Sequence, residues 1–85
     1  MDLHQYKEYE GRTLGEIAKA TAPRTDGYAV FALSKYDDVL GELVGESSSV
    51  AEIINHHPEM ENWIVKYTNG FLGQIVLRAA EPEEG

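Results

Sequence analysis

The residues best suited to moving a proton or holding an ion are gathered in Glu52-Ile53-Ile54-Asn55-His56-His57-Pro58-Glu59. Imidazoles exchange protons near neutral pH, so His56 and His57 are the candidate catalytic residues of this sequence. Glu52 and His56 stand four residues apart, which on a helix turns both toward one ion, with Glu59 close behind. Adjacent histidines project in different directions from a helix, and no second His or Cys pair completes a ligand set. No metal site is therefore assigned, and no cofactor is expected. The chain has no cysteine, which excludes disulfides, thiolate ligands and a cysteine nucleophile. Ser47, Ser48 and Ser49 read as a linker and helix cap rather than part of a nucleophilic triad. Gly41 and Gly45 lie within an expected acidic helix that would repel phosphate.

The run Ala51-Glu52-Ile53-Ile54-Asn55-His56-His57-Pro58-Glu59-Met60-Glu61-Asn62 resembles the signature of the pterin-4a-carbinolamine dehydratases. In that family a helix ends in Ala-Glu-x-x-Asn/Asp-His-His-Pro-Glu-Trp-x-Asn and leads into a strand. Ala51, Glu52, Asn55, His56, His57, Pro58, Glu59 and Asn62 match the pattern, and Phe31, Leu33 and Tyr36 loosely resemble the family's strand into its long helix. The resemblance implies that His56 and His57 handle protons during dehydration of a pterin ring. The chain departs from the family in four places. Thr68-Asn69-Gly70 stands where a Thr-His pair supplies a third histidine, and Met60 replaces the tryptophan. Gly45-Glu46-Ser47-Ser48-Ser49 interrupts the long helix, and the family's C-terminal helix has no counterpart.

Fifteen acids face seven bases, for a formal charge of −8. A nucleic-acid binder needs a basic patch to displace counterions, and an anionic membrane surface attracts the same kind of patch. Direct contact with either is excluded on charge. The imbalance is regional. Residues 1–36 hold five acids and five bases, whereas residues 37–85 hold ten acids with only Lys66 and Arg78. Between Lys35 and Lys66 stand Asp37, Asp38, Glu42, Glu46, Glu52, Glu59 and Glu61 with no base among them. On a helix, Asp38, Glu42 and Glu46 would share one face, at a cost of roughly 0.2–0.5 kcal/mol per like-charged pair. Four-residue steps would set those carboxylates ~6 Å apart, near the phosphate spacing of a nucleic-acid strand. No apolar run approaches a membrane span, and Met1-Asp2-Leu3-His4 lacks the basic start of a signal peptide. The expected compartment is the cytoplasm.

These groups need elements to position them. Gln5–Tyr9 reads as a short edge strand. Thr13-Leu14-Gly15-Glu16 has the form of a capping box and predicts a helix through Ala20, with Leu14, Ile17 and Ala18 inward. Pro23 and Asp26-Gly27 mark a turn. Tyr28–Leu33 is apolar on both faces and predicts a central strand covered on both sides. Asp37 or Asp38 would cap a second helix to about Gly45, with Val39, Leu40, Leu43 and Val44 at helical spacing. Ser49-Val50-Ala51-Glu52 repeats the capping-box pattern and opens a helix that Pro58 stops. Trp63–Thr68 and Phe71–Arg78 flank Asn69-Gly70, a strong hairpin signal. A turn there pairs Trp63 with Val76, Val65 with Gln74 and Tyr67 with Leu72. It sets Ile64 with Ile75, and Thr68 with Phe71, on the other side. Both faces are substantially apolar, so helices cover both, or the second face holds a dimer or partner.

The expected fold is α+β: a small antiparallel sheet with a C-terminal hairpin turning at Asn69-Gly70, packed with two or three short helices. Residues 1–80 form a single domain, and 81–85 form an acidic disordered tail. The expected function is that of a non-enzymatic acidic protein. Its Asp37, Asp38, Glu42, Glu46, Glu52, Glu59 and Glu61 engage a basic protein surface, such as that of a nucleic-acid-binding protein. In size and charge the chain looks like phage and mobile-element inhibitors of host defence, including anti-CRISPR proteins and other nucleic-acid mimics. Two alternatives stand beside this. One is a dehydratase-like protein using His56 and His57; the other is a small subunit that forms a homodimer through the second hairpin face.

Overall fold

A computed structural model describes residues 4–5, 7–33, 41–71 and 73–82. The local signals at residues 13 and 49 do what their chemistry requires. The Thr13 hydroxyl accepts the Glu16 N–H at 3.2 Å, and the Glu16 carboxylate accepts the Thr13 N–H at 3.1 Å. This reciprocal pair starts α1, Leu14–Ala20. The Thr13 N–H, followed by the Thr13 hydroxyl, holds the Glu16 carboxyl below the usual carboxylate range. Ser49 caps α2, Val50–His56, by accepting the Glu52 N–H at 3.1 Å. The Glu52 carboxylate makes no return bond, so only half of the expected second box forms.

The strands are β1 (His4–Gln5), β2 (Tyr28–Ala32), β3 (Glu42–Ser47), β4 (Ile64–Phe71) and β5 (Gln74–Ala80). They form one sheet in the order β1-β4-β5-β2-β3, antiparallel except where β2 and β5 run parallel at its centre. The α+β class is as expected. Tyr28, Val30, Ile75, Leu77, Ala79 and Val65 share a buried cluster with Leu14, Ile17, Val50, Ile53 and Met60. Alternate strand residues thus meet both helices on the same side, and α1 and α2 cover one sheet face only.

Three expectations change. Gln5–Tyr9 is not one strand: β1 is His4–Gln5, and Lys7–Tyr9 is a 3-10 turn. The hairpin does not turn at Asn69-Gly70. Phe71 pairs with Gln74, and Gly73 takes the positive φ of +85° that the turn requires. A turn at residues 69–70 would pair the strands only as far as Val76. The observed register continues through Leu77, Arg78, Ala79 and Ala80. A longer ladder outweighs the local Asn-Gly preference, and Asn69 and Gly70 become strand residues that also pair with β1.

The third change is the largest. Residues 42–47 form a strand antiparallel to β2, where a helix ending near Gly45 was expected. Its proposed start at Asp37 or Asp38, with Val39 and Leu40, lies outside the described residues, as do Tyr36, Leu72 and residues 83–85 of the tail. Glycine costs about 1 kcal/mol at each helix-interior position, and a second one near the end adds to the penalty. As a strand, the same residues satisfy the free edge of β2. Gly45 also leaves room for α2, since a Cβ there would lie 2.6 Å from Ile53 Cγ2.

Candidate functional site

The acidic residues occupy three elements. β3 is an outer strand, α2 packs over it, and a 3-10 turn at Pro58–Asn62 continues from α2. Pro58 denies the helix its next N–H donor, so the chain tightens there. That turn buries Met60 in the core and leaves its neighbours Glu59 and Glu61 exposed. On α2, Val50 and Ile53 face inward and Glu52 outward.

Glu42 and Glu46 are both exposed but do not form a stripe. Phe31 pairs with Leu43 and Val30 with Gly45, so Val44 is an extra residue in β3. The bulge changes the parity of the strand. Glu42 sits across from Ala32, on the helix side, while Glu46 sits across from Ala29, on the opposite side. The helical face shared by Asp38, Glu42 and Glu46 is therefore overturned, and with it the phosphate-like spacing. Asp37 and Asp38 lie outside the described residues. The carboxylates of Glu42, Glu52, Glu59 and Glu61 belong to the helical layer, and Glu46 to the open face. Glu46 accepts a hydrogen bond from Gln74 Nε2 at 3.2 Å, a partner that charge counting did not reveal. Among the described residues, His57 lies near one of these carboxylates, with its Nδ1 3.6 Å from Glu59 Oε2.

His56 ends α2 and is exposed, whereas His57 is the half-buried cap whose N–H donates to the carbonyls of Ile53 and Ile54. The chain bends between them, from helix to the 3-10 turn. Among the described residues, no group of three or more His, Cys, Asp or Glu side chains is arranged to hold a metal ion. No described helix is long and apolar enough to cross a membrane.

The open sheet face carries a second feature. Register places Tyr67, Arg78, Phe31 and Leu43 in one row across β4, β5, β2 and β3. Tyr67 and Leu43 are each 47% exposed. The expected grouping of Val65 with Tyr67 fails because a bulge falls between them. Val65 turns into the core, and Tyr67 turns away from it. Ile64 pairs with Ala80 rather than sharing a face with Ile75.

Compared with family models, curated proteins and solved structures, the chain matches none.

Proposed function

We propose that this protein is a non-enzymatic acidic binding protein that occupies a basic surface of a partner protein. The observation that carries this reading is the exposure of Glu42, Glu46, Glu52, Glu59 and Glu61 on β3, α2 and the Pro58–Asn62 turn, where α2 packs against each of the other two. No lysine or arginine occurs between Lys35 and Lys66 to offset them. A stable surface gains nothing from such one-sided charge, because mixed signs lower repulsion at no cost to solubility. One-sided charge does steer a basic partner and raises the association rate.

The test is affinity capture from the native host, followed by charge reversal. The captured partner is expected to be basic at the contact. Glu52→Lys with Glu59→Lys should weaken binding by about tenfold, or about 1.4 kcal/mol, and added salt should weaken it further. His56→Ala and His57→Ala should leave it unchanged. Salt-insensitive binding that survives charge reversal would overturn the reading.

The row Tyr67, Arg78, Phe31 and Leu43 favours one other reading, self-association through the open face. Tyr67→Lys would then convert a dimer into a folded monomer. An unchanged mass by light scattering would reject it.

A further inference from the structure

Alternation along each strand sends one set of side chains to α1 and α2 and the other set to the opposite face. That opposite face is accessible: Tyr67 of β4 and Leu43 of β3 are each 47% exposed. Register sets Arg78 and Phe31 between them on the two central strands. The neighbouring row holds Asn69, Val76, Ala29 and Glu46. Glu46 reaches inward over this face, because its Oε2 accepts from Gln74 Nε2 on β5 at 3.2 Å. Arg78 Nε is enclosed and has no hydrogen-bond partner among the described residues. Lys66, the extra residue of the β4 bulge, is set apart from these rows. Within the rows, Arg78 and Glu46 are the charged side chains, one of each sign. The face is thus neutral in a chain whose net charge is −8.

We infer that a second copy of this chain occupies the open face, in a two-fold arrangement that sets Arg78 of each copy against Glu46 of the other. The inference rests on the self-association reading and names the contacts that would select the partner. A two-fold interface is isologous, so if one residue meets a second across it, the second also meets the first. Arg78 and Glu46 stand two strands and one two-residue step apart, about 12 Å across the sheet. An axis in the plane of the interface, midway between them over β2, exchanges the two and forms both pairs at once. Phe31 lies on β2 and packs close to its own counterpart, with Tyr67 and Leu43 to either side. Tyr, Phe and Arg are the residue types enriched at the centres of interfaces. Charge complementarity favours a second copy in particular. Two acidic chains meet with least repulsion where their surface is neutral, and here each also supplies the opposite charge the other needs. Sheets pack ~10 Å apart and each helical layer lies ~10 Å further out, so the two acidic layers end ~30 Å apart. That is several Debye lengths at physiological salt, and their repulsion is screened. Both acidic layers stay exposed on opposite outer sides, and each dimer presents two of them to a partner.

The test is a charge exchange on the full chain, read by light scattering and analytical ultracentrifugation. The unsubstituted chain should be a dimer at high micromolar concentration. Arg78→Glu sets carboxylate against carboxylate, and Glu46→Arg sets guanidinium against guanidinium. Each variant alone should lose dimer affinity by about tenfold or more. Mixed in equal amounts, the two should recover a dimer with one chain of each, because both crossed pairs are again opposite in sign. Added salt should weaken that recovery. Circular dichroism of each variant checks its fold, and a chain that failed to fold would not be rescued by mixing. Dimers that persist in both single variants, or folded variants that stay monomeric when mixed, overturn the Arg78–Glu46 arrangement. Self-association through this face then still stands if Tyr67→Lys yields a folded monomer. A dimer that also survives Tyr67→Lys, or a monomeric unsubstituted chain, overturns both.

Discussion

Replacing Gly45 by alanine tests the placement of α2 on β3, on which the whole acidic surface depends. The new Cβ would sit 2.6 Å from Ile53 Cγ2, whereas carbon atoms in ordinary contact stand about 3.5–4.0 Å apart. A shift of about 1 Å is needed. Ile53 is 2% exposed, and a β-branched side chain in a helix has essentially one χ1 rotamer, so it cannot swing aside. The helix itself must lift. Overpacking of this kind costs about 1–3 kcal/mol. Removing a glycine from a strand returns about 0.5–1 kcal/mol. The net loss is about 0.5–2 kcal/mol. A chain of 85 residues unfolds with an entropy of about 180 cal/mol/K, so Tm should fall by about 3–10 °C. Urea titration at constant m gives the same quantity isothermally. The cycle with Ile53→Ala identifies the contact. That change alone costs about 2–5 kcal/mol, but it removes the clashing methyl. The double variant should be more stable than the sum of the singles by about 1 kcal/mol. Additivity, or a rise in Tm for Gly45→Ala, would refute the packing.

Two further outcomes follow from the same structure. Glu16 is held below the usual carboxylate range in the folded chain, so its contribution is present above the unfolded value and is lost as pH falls through the folded one. Glu16→Gln should therefore lower Tm at neutral pH, with the difference shrinking under acid conditions. At Gly41 a Cβ would run into the Ala32 carbonyl oxygen, so Gly41→Ala should destabilise, read as a lower urea midpoint. In the helix that the residue spacing suggests, it would stabilise by about 1 kcal/mol.

The signals that survived into the fold are those whose physics is complete within a few residues. Thr13 and Ser49 cap helices, Pro58 stops one, and Asp26-Gly27 turns with Gly27 at φ +77°. The strand at Tyr28–Ala32 was legible because a doubly apolar run has few other uses. Where distant partners decide, the sequence was ambiguous. Leu43 and Val44 suit a helix face or a strand, and only the unfilled edge of β2 and the approach of Ile53 select the strand. The glycines at 41 and 45 were the available hint. Asn69-Gly70 misled because turn preference is local, whereas the ladder from Ile64 to Ala80 is not. The candidate site fared similarly: its residues were readable by type, but a single bulged residue distributes Glu42 and Glu46 to opposite faces.

The position of β5 has a consequence for how the chain comes together. β5 is the last of the described elements in sequence, yet it lies between β4 and β2 and holds the two halves of the sheet in one ladder. Until residues 74–80 are in place, β2 with β3 and β1 with β4 are separate pairs with no strand-to-strand hydrogen bonds between them among the described residues. Isolated two-stranded units are marginal in water. Assembly is thus governed by contacts that are far apart in sequence, which slows folding relative to a helical bundle of the same size. A chain cut before Gln74 should lose cooperative unfolding altogether rather than lose one strand's share of stability.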